Sequence, residues 1–537
     1  MLFAKPDAHH VGQTVPALKA LAPLFGASSF HGMATGNLAH VGSDGLTEEE
    51  RQLQKSYWTE NSQEATVEAM MLDSMASVID LQERPEVMGM LGVVEEKRIM
   101  ELGAGIGRFT GALAATAKSV LAVDFMEHLI AENRRTNAQR KNVQWQVGDA
   151  TELVLEPACC DVVFSNWLLM YLSDKEVAKL ASDALRWVAD DGIVFFRESC
   201  FRQSGDKKRK SNPTHYRNPR EYFAIFDNVE VEVADGGFAH YELISCRCVD
   251  TYVQLKQNQN QVCWKWRKVV TKARRVPDFR HFLDGKQYSM TGILRYERIF
   301  GSGFVSTGGL ETTKDFVSQL GLQAGQRVLD VGCGIGGGDF YMASEYGVYV
   351  HGIDLSVNMV LIALERAAAV PGGSKVSFEI ADCTTSEARP ESYDAVYSRD
   401  TILHIQDKPA LFARLFKLLK PGGKLLISDY CRSETEPSEQ FASYIQQRGY
   451  NLCSVPAYGQ ILRDAGFTDV KAEDRTWQFE KSLRRELEQA KADKATFVKD
   501  FSQEDYDAIV NGWQDKLVRV ADGEQRWGLF IGTKPPA

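Results

Sequence analysis

Several things are missing from this 537-residue chain, and each absence removes a class of function. No apolar run approaches the length of a membrane span, so no transmembrane segment is expected. The net charge is -10, whereas a nucleic-acid binder needs a basic face. Ten cysteines are scattered without paired metal spacing, and "CC" at 159–160 and "CRC" at 246–248 match no zinc template. Buried reduced thiols in a cytoplasmic protein, with no metal, are the expectation. Residues 1–45 contain no arginine and show no sustained periodicity; a transit peptide is normally arginine-rich. We expect a disordered leader there, with organelle targeting as the alternative. The remainder has the 44 % apolar content of ordinary globular proteins and is too long for one core.

What is present occurs twice. "IMELGAGIGRFTG" (99–111) and "VLDVGCGIGGGDF" (328–340) each join an apolar run, an acid (Glu101, Asp330) and a Gly-x-Gly-x-Gly turn. A second run follows, closing on Asp124 or Asp354, and a third ends near Asp149 or Asp382. The three matched acids are 229, 230 and 233 residues apart, which predicts tandem copies of one domain. Glycines after a strand permit a tight turn and close approach to a ligand. An acid about 20 residues on accepts ribose hydroxyls. This arrangement, with an acid directly before the first glycine and another after the third strand, resembles class I S-adenosylmethionine-dependent methyltransferases more than NAD enzymes. The resemblance places Gly103 and Gly105, or Gly332 and Gly334, at the methionine part. It places Asp124 or Asp354 at the ribose and Asp149 or Asp382 at the adenine.

Strand–helix alternation predicts an α/β fold of two Rossmann-like domains, each a mostly parallel sheet with an antiparallel edge and flanking helices. The first domain is predicted over 46–263, including antiparallel strands around a Gly-Gly turn in "EVEVADGGFAHYELISCRCVDTYVQLK". The charged stretch 264–286 reads as a surface linker, and the second domain as 287–537. Ser356 is placed to cap the helix after Asp354.

The copies differ beyond their fourth strands, where acceptors bind in such folds. "FSNWLLMYLSDK" (164–175) aligns with "YSRDTILHIQDK" (397–408), setting Asn166 against Arg399, Trp167 against Asp400 and Tyr171 against His404. A histidine replacing a tyrosine points to divided labour.

Longer strings carry a narrower resemblance. "YWTENSQEATVEAMMLDS", "FSNWLLMYLSDKEV", "SGDKKRKSNPTHYR", "NQNQVCW", "GILRYERIFG", "YSRDTILHIQDKPALF", "QQRGY" and "QRWGLF" resemble the plant-type, two-domain phosphoethanolamine N-methyltransferases over about residues 48–535. The resemblance implies three methylations of phosphoethanolamine, through mono- and dimethyl intermediates, to phosphocholine, the first domain favouring the first step. It implies one S-adenosyl-L-methionine per domain, with Arg108, Ala150 and Asn166 added to the first donor site. Ser306, Leu355, Cys383 and Arg399 join the second. Tyr288 and His404 correspond to the family's catalytic dyad. The second acceptor site takes Gln287, Tyr288, Tyr296, Asp400, Tyr430, Tyr444, Arg448, Tyr450 and Lys516; the first takes Ser199, Ser204, Gly205, Arg209 and Tyr216. Trp58 or Tyr57 is a first-half candidate for an aromatic face toward the methylated cation, although "YW" before a helix is often a packing staple. Partners would be small phosphobases, and the protein a monomer. A sterol or quinone methyltransferase, or a regulatory nucleotide-binding protein with one inactive half, are the competing readings.

Overall fold

Short β-rich runs ending in an acid, each followed by a glycine turn or an amphipathic stretch, build strand–turn–helix units whose strands must lie parallel. The computed structural model of the chain describes residues 48–536 apart from 208–211, 235, 276–278, 368 and 386–387. The expected leader and Arg209 therefore lie outside the described residues. The first half contributes β1 (Arg98–Leu102), β2 (Ser119–Asp124), β3 (Val143–Val147), β4 (Cys160–Asn166) and β5 (Val188–Ser199). Beyond them come β6 (Glu230–Glu232), β7 (Phe238–Cys248) and β8 (Gln261–Thr271). The second half repeats the plan with β9 (Arg327–Val331), β10 (Tyr349–Asp354), β11 (Val376–Ile380), β12 (Tyr393–Arg399), β13 (Leu419–Arg432), β14 (Thr468–Asp474) and β15 (Gln525–Thr533).

The strand order is β3-β2-β1-β4-β5-β8-β7 in the first half and β11-β10-β9-β12-β13-β15-β14 in the second, one topology used twice. In each half the first five strands pair in parallel and the last two add antiparallel. The expected fold class is the observed one. The two sheets also join: β7 pairs antiparallel with β11, Cys246 opposite Ile380 and Arg247 opposite Glu379. Each half thereby covers one otherwise open edge of the other, removing two unpaired strand edges.

One buried apolar cluster runs from Tyr222, Trp264 and Trp266 in the first half to Phe316, Phe378 and Trp527 in the second. Separate clusters cover the opposite faces, with Ile79, Phe109 and Phe164 in the first half and Leu329, Phe412 and Phe530 in the second. Two expectations are corrected here. The predicted linker 264–286 opens inside β8, where Trp264, Trp266 and Lys268 alternate inward and are buried. Their period of two is a strand signal that the surrounding charges masked. The stretch 250–256, expected to continue the antiparallel strands, is a helix. Glu86 starts it by accepting from the amides of Asp250 (2.6 Å) and Thr251 (3.0 Å) and from the Thr251 hydroxyl (2.7 Å). Ser356 does cap its helix, its hydroxyl accepting from the Met359 amide at 3.3 Å.

Candidate active sites

Both glycine turns adopt left-handed backbone, with φ of +71° and +50° at Gly103 and Gly105 and +80° and +55° at Gly332 and Gly334. Space demands glycine as well: a Cβ on Gly332 would fall 2.1 Å from the Thr401 hydroxyl. The turn then clamps the acid ending the second strand. The Gly105 amide donates to Asp124 Oδ2 (2.9 Å) and the Met126 amide to Oδ1 (2.9 Å). Gly334 and Ser356 do the same for Asp354 at 3.0 and 2.9 Å. Burial pushes both carboxyls up, Asp354 to about 6, against the pull of these amides. At the third strands, Asp149 accepts from the Thr151 amide and hydroxyl (2.9 and 2.7 Å), and Asp382 from those of Thr384 (2.8 and 2.7 Å).

The first cleft encloses about 1320 Å³ and the second about 2040 Å³, open mouths included. Ala150, Asn166 and Arg108 line the first, and Ser306, Leu355, Cys383 and Arg399 the second. The donor set fits a nucleoside, since a fixed carboxylate ends the second strand of each half and a second acid lies one strand further on. Burial beside Asp382 pushes the Cys383 thiol up to about 12, which disfavours the thiolate.

Of the predicted second-half acceptor residues, Tyr288 and Asp400 line the second cleft with His404, and Gln287, Tyr296, Tyr430, Tyr444, Arg448, Tyr450 and Lys516 cluster beside them. Tyr288 follows a turn at Leu283–Gln287, and His404 sits on the single turn Ile402–His404 after β12. Tyr430 comes from β13, Arg448 ends the helix Glu439–Arg448, and Lys516 projects from the helix Gln503–Ala521. The Tyr288 hydroxyl lies 3.4 Å from His404 Nε2 and accepts from Gln287 Nε2 at 3.2 Å. His404 Nδ1 is buried without a protein hydrogen bond. Burial, then the Arg448 and Lys408 charges, push this imidazole down to about 4. The Tyr450 ring meets His404 edge-on at 5.2 Å, with Tyr444 and Tyr430 at 5.9 and 6.4 Å from Tyr450. Arg448 Nε donates to the Tyr450 hydroxyl (3.3 Å). Lys516 lies 4.2 Å from the Trp513 ring, against which Tyr296 packs, and burial pushes its ammonium down to about 8. Asp400 accepts from the Thr307 amide (3.1 Å) and the Trp527 indole (2.8 Å).

The first acceptor pocket is different. Gln261 Nε2 donates to Ser199 (2.6 Å) and Ser204 (2.8 Å), and Gly205 is pressed so close to Leu72 that a Cβ would lie 2.4 Å from its carbonyl. Among the described residues Tyr216 is not part of the cleft lining, and its hydroxyl accepts from exposed Asn212 at 3.3 Å. The loop that carries it is held by Arg217, which donates to the carbonyls of Leu169 and Leu172. Trp58, one of the two first-half aromatic candidates, lines the cleft and meets Tyr171 edge-on at 5.5 Å. With Tyr171 in the position of His404, two aromatic rings stand where the second half has its phenol–imidazole pair.

Asp80, Glu83, Arg197 and Gln261 escaped the sequence reading. Arg108 and Arg197 are clamped by Asp80 and Glu83 of the helix Ala76–Leu91. Asn166 accepts from Arg197 Nη1 (3.0 Å), so the first half delivers from β5 the guanidinium that Arg399 delivers from β12 in the second. Gln261 links β8 to the acceptor loop, and the run "QNQNQ" before that strand was its one visible signal.

Residues 100–196 and 309–472 each match a family described as a methyltransferase domain. The chain is 58 % identical to phosphoethanolamine N-methyltransferase 1 of Arabidopsis thaliana, covering 91 % of this chain and 99 % of that one. It is 57 % identical to phosphoethanolamine N-methyltransferase of Triticum aestivum, covering 92 % and 98 %. Among solved structures it resembles Haemonchus contortus phosphoethanolamine N-methyltransferase 2 in complex with phosphomonomethylethanolamine and S-adenosylhomocysteine. That match has a TM-score of 0.70 at 30 % identity, over 84 % of this chain and all of the other. Duplicated glycine-turn cups, a cluster of half-buried cations and phenols beside the second, and near-complete relatives agree: the chain belongs to the S-adenosylmethionine-dependent phosphoethanolamine N-methyltransferases.

Proposed function

We propose that the halves divide one reaction sequence. The first methylates phosphoethanolamine, and the second carries the mono- and dimethyl products on to phosphocholine. The halves so defined meet after β8, between Thr271 and Phe279. S-adenosylmethionine supplies an electrophilic methyl carbon when bound. Asp124 and Asp354 would hold its ribose hydroxyls, Asp149 and Asp382 its adenine, and Arg399 its carboxylate.

The protein's own task is to present a nitrogen lone pair at that carbon. An alkylammonium near pKa ~10 keeps its proton at neutral pH, so the proton must be removed or disfavoured. In the second half Arg448 and Lys516 supply charge-assisted donors for a phosphate dianion, with the Tyr444 and Tyr450 hydroxyls beside them. Asp400 faces the amine, and His404, with Tyr288, takes its proton. Tyrosine faces suit the cation that grows with each methyl group. A sterol or quinone has no use for two clustered cations, and intact glycine turns and acids in both cups argue against a decayed half.

The exchange of the Tyr288–His404 pair for Trp58 and Tyr171 in the first half carries this reading. His404→Ala should lower methylation of the mono- and dimethyl substrates by about 10²-fold or more, as loss of a positioned base does. First-step turnover of phosphoethanolamine should survive. Labelled methyl donor with each phosphobase in turn measures this, and equal loss at every step would reject the division.

A further inference from the structure

The acceptor ends of the two halves differ by one exchange of partners. β5 and β8 pair Ser199 with Gln261, whereas β13 and β15 pair Tyr430 with Trp527, so Gln261 and Trp527 occupy one sheet position. Trp167 and Asp400 occupy another, just after β4 and β12, both in left-handed backbone at φ +58° and +50°. In the first half the Trp167 indole donates to Gln261 Oε1 at 2.7 Å. In the second the Trp527 indole donates to Asp400 Oδ1 at 2.8 Å. The same indole bond bridges the same two strands in opposite directions. Its acceptor is a neutral amide in one half and a carboxylate in the other.

The charges around Gln261 reinforce that neutrality. Arg197 and Arg108 lie 3.9 and 5.2 Å from the Trp167 ring, and both are neutralised from behind by Glu83 and Asp80. On β5, Glu198 is buried and spends its carboxylate on the amides of Leu168, Leu169 and Met170. Arg217 beside it pairs with Asp174. Tyr252 lies under Arg197, and Lys256, behind the Ser204 loop, pairs with Asp73 and Asp206. Across the cleft Arg51 bridges Asp149 and Glu176, Asp124 is held by amides, and Glu101 accepts from Thr110. Among the described residues no histidine lines this cleft. In the second half the buried guanidinium of Arg399 bonds only neutral oxygens, of Thr307, Thr312, Thr313 and Ser428, and the acid stands in front of it as Asp400.

A carboxylate within about 4–6 Å of an amine favours its charged form, and a desolvated neutral pocket favours the free base. An anion beside the nitrogen is useful where a base follows and harmful where none does. We propose that Gln261 is a specificity-determining residue for the acceptor's protonation state. It keeps a carboxylate away from the acceptor end of the first cleft, so that the amine leaves its proton in water on entry and reacts as free base. The second half instead receives the ammonium opposite Asp400 and removes the proton through His404. This rests on the division of labour proposed above.

The test uses the full chain carrying His404→Ala, so that phosphoethanolamine turnover reports the first half, with kcat followed from about pH 6 to about pH 10. Adding Gln261→Glu should lower kcat near neutrality about tenfold and move its acidic limb about one unit alkaline, the rate recovering at high pH. Gln261→Leu, which removes the hydrogen bonds without adding charge, should lower kcat at every pH and leave the limb in place. An unmoved limb in Gln261→Glu, or an equal displacement in Gln261→Leu, overturns the proposal. Asp400→Asn in an otherwise unaltered chain, assayed on the dimethyl substrate, should move the second half's limb toward acid. No movement there overturns the proposal even if Gln261→Glu fails to fold. Loss of phosphoethanolamine turnover in the His404→Ala parent would sink the division of labour instead, and the Asp400→Asn arm would still decide the effect of charge.

Discussion

His404 sits between a phenol and two cations, and its basicity depends on what those cations face. Burial first, then Arg448 and Lys408, hold the imidazole near 4, a weak base for an ammonium. Lys408 is itself buried and fixes the turn carrying His404, donating to the carbonyls of Ile402 (3.0 Å), Ile405 (2.8 Å) and Asn451 (2.7 Å). A phosphate anion beside Arg448 and Lys516 offsets part of the positive charge that His404 feels. Phosphocholine binding should therefore raise the His404 pKa by about one unit or more, the sign expected when an anion joins a cationic site. Imidazole titration by NMR, with and without phosphocholine, measures the change; an unmoved or lowered value would separate the phosphate site from the dyad. At this scale the sequence was readable where chemistry is local. Glycines with positive φ and acids at strand ends announce themselves by spacing, and His404 stood out against Tyr171 once the copies were aligned. Gln261, Arg197, Asp80 and Glu83 did not, because their partners lie across strands or on a helix far away in sequence.

Among the elements, the segment from Phe279 to Tyr288 couples donor cup and dyad. Its Asp284 carboxylate accepts from the Ser356 hydroxyl (2.5 Å) and from the amides of Val357 (3.1 Å) and Asn358 (3.4 Å), at the start of the helix Val357–Ala367. Asn358 returns the contact by donating to the carbonyls of Asp284 (3.1 Å) and Tyr288 (2.9 Å). The helix start pinned here lies two residues beyond Asp354, so the ribose position and the dyad's phenol share one clasp. Asp284→Ala removes a capping carboxylate, which costs about 1 kcal/mol. We expect the second half's KM for the methyl donor to rise about fivefold to tenfold, in proportion to that energy. First-half kinetics should stay unchanged, and steady-state assays on phosphoethanolamine and on the dimethyl substrate separate the two. The sequence reading placed most of this segment in a surface linker. An Asp-Gly-Lys stretch in a charged run resembles any surface linker until its partner helix is placed beside it.

At the scale of the whole molecule, the least legible feature is the seam. Alternating residues and a Gly-Gly turn foretold β7 as an antiparallel strand, but nothing local says that its outer edge meets β11 of the other copy. The strand pairing is short, and side chains reinforce it. Asp250 accepts from Arg247 of its own half (3.0 Å) and from Arg327 of the other (3.3 Å), His351 pairs with Glu379 (3.1 Å), and Gln259 donates to the Val376 carbonyl (3.0 Å). Burial pushes the Asp250 carboxyl up, but Arg247, His351 and Arg327 outweigh it and hold it at about 2. A carboxyl depressed in the folded chain lends stability that is full above its unfolded value near 3.9 and is lost as pH falls toward 2. That contribution is on the order of 2–3 kcal/mol. Arg247→Ala leaves Asp250 and Glu379 facing each other across the seam with one cation fewer. Calorimetry at neutral pH should then resolve two transitions, one for each half, where the unaltered chain unfolds with its halves coupled. The gap between the variant and the unaltered chain should narrow below about pH 4, as Asp250 takes up its proton. A single, unshifted transition in Arg247→Ala would mean that backbone pairing and the shared apolar cluster hold the halves together without the ion cluster.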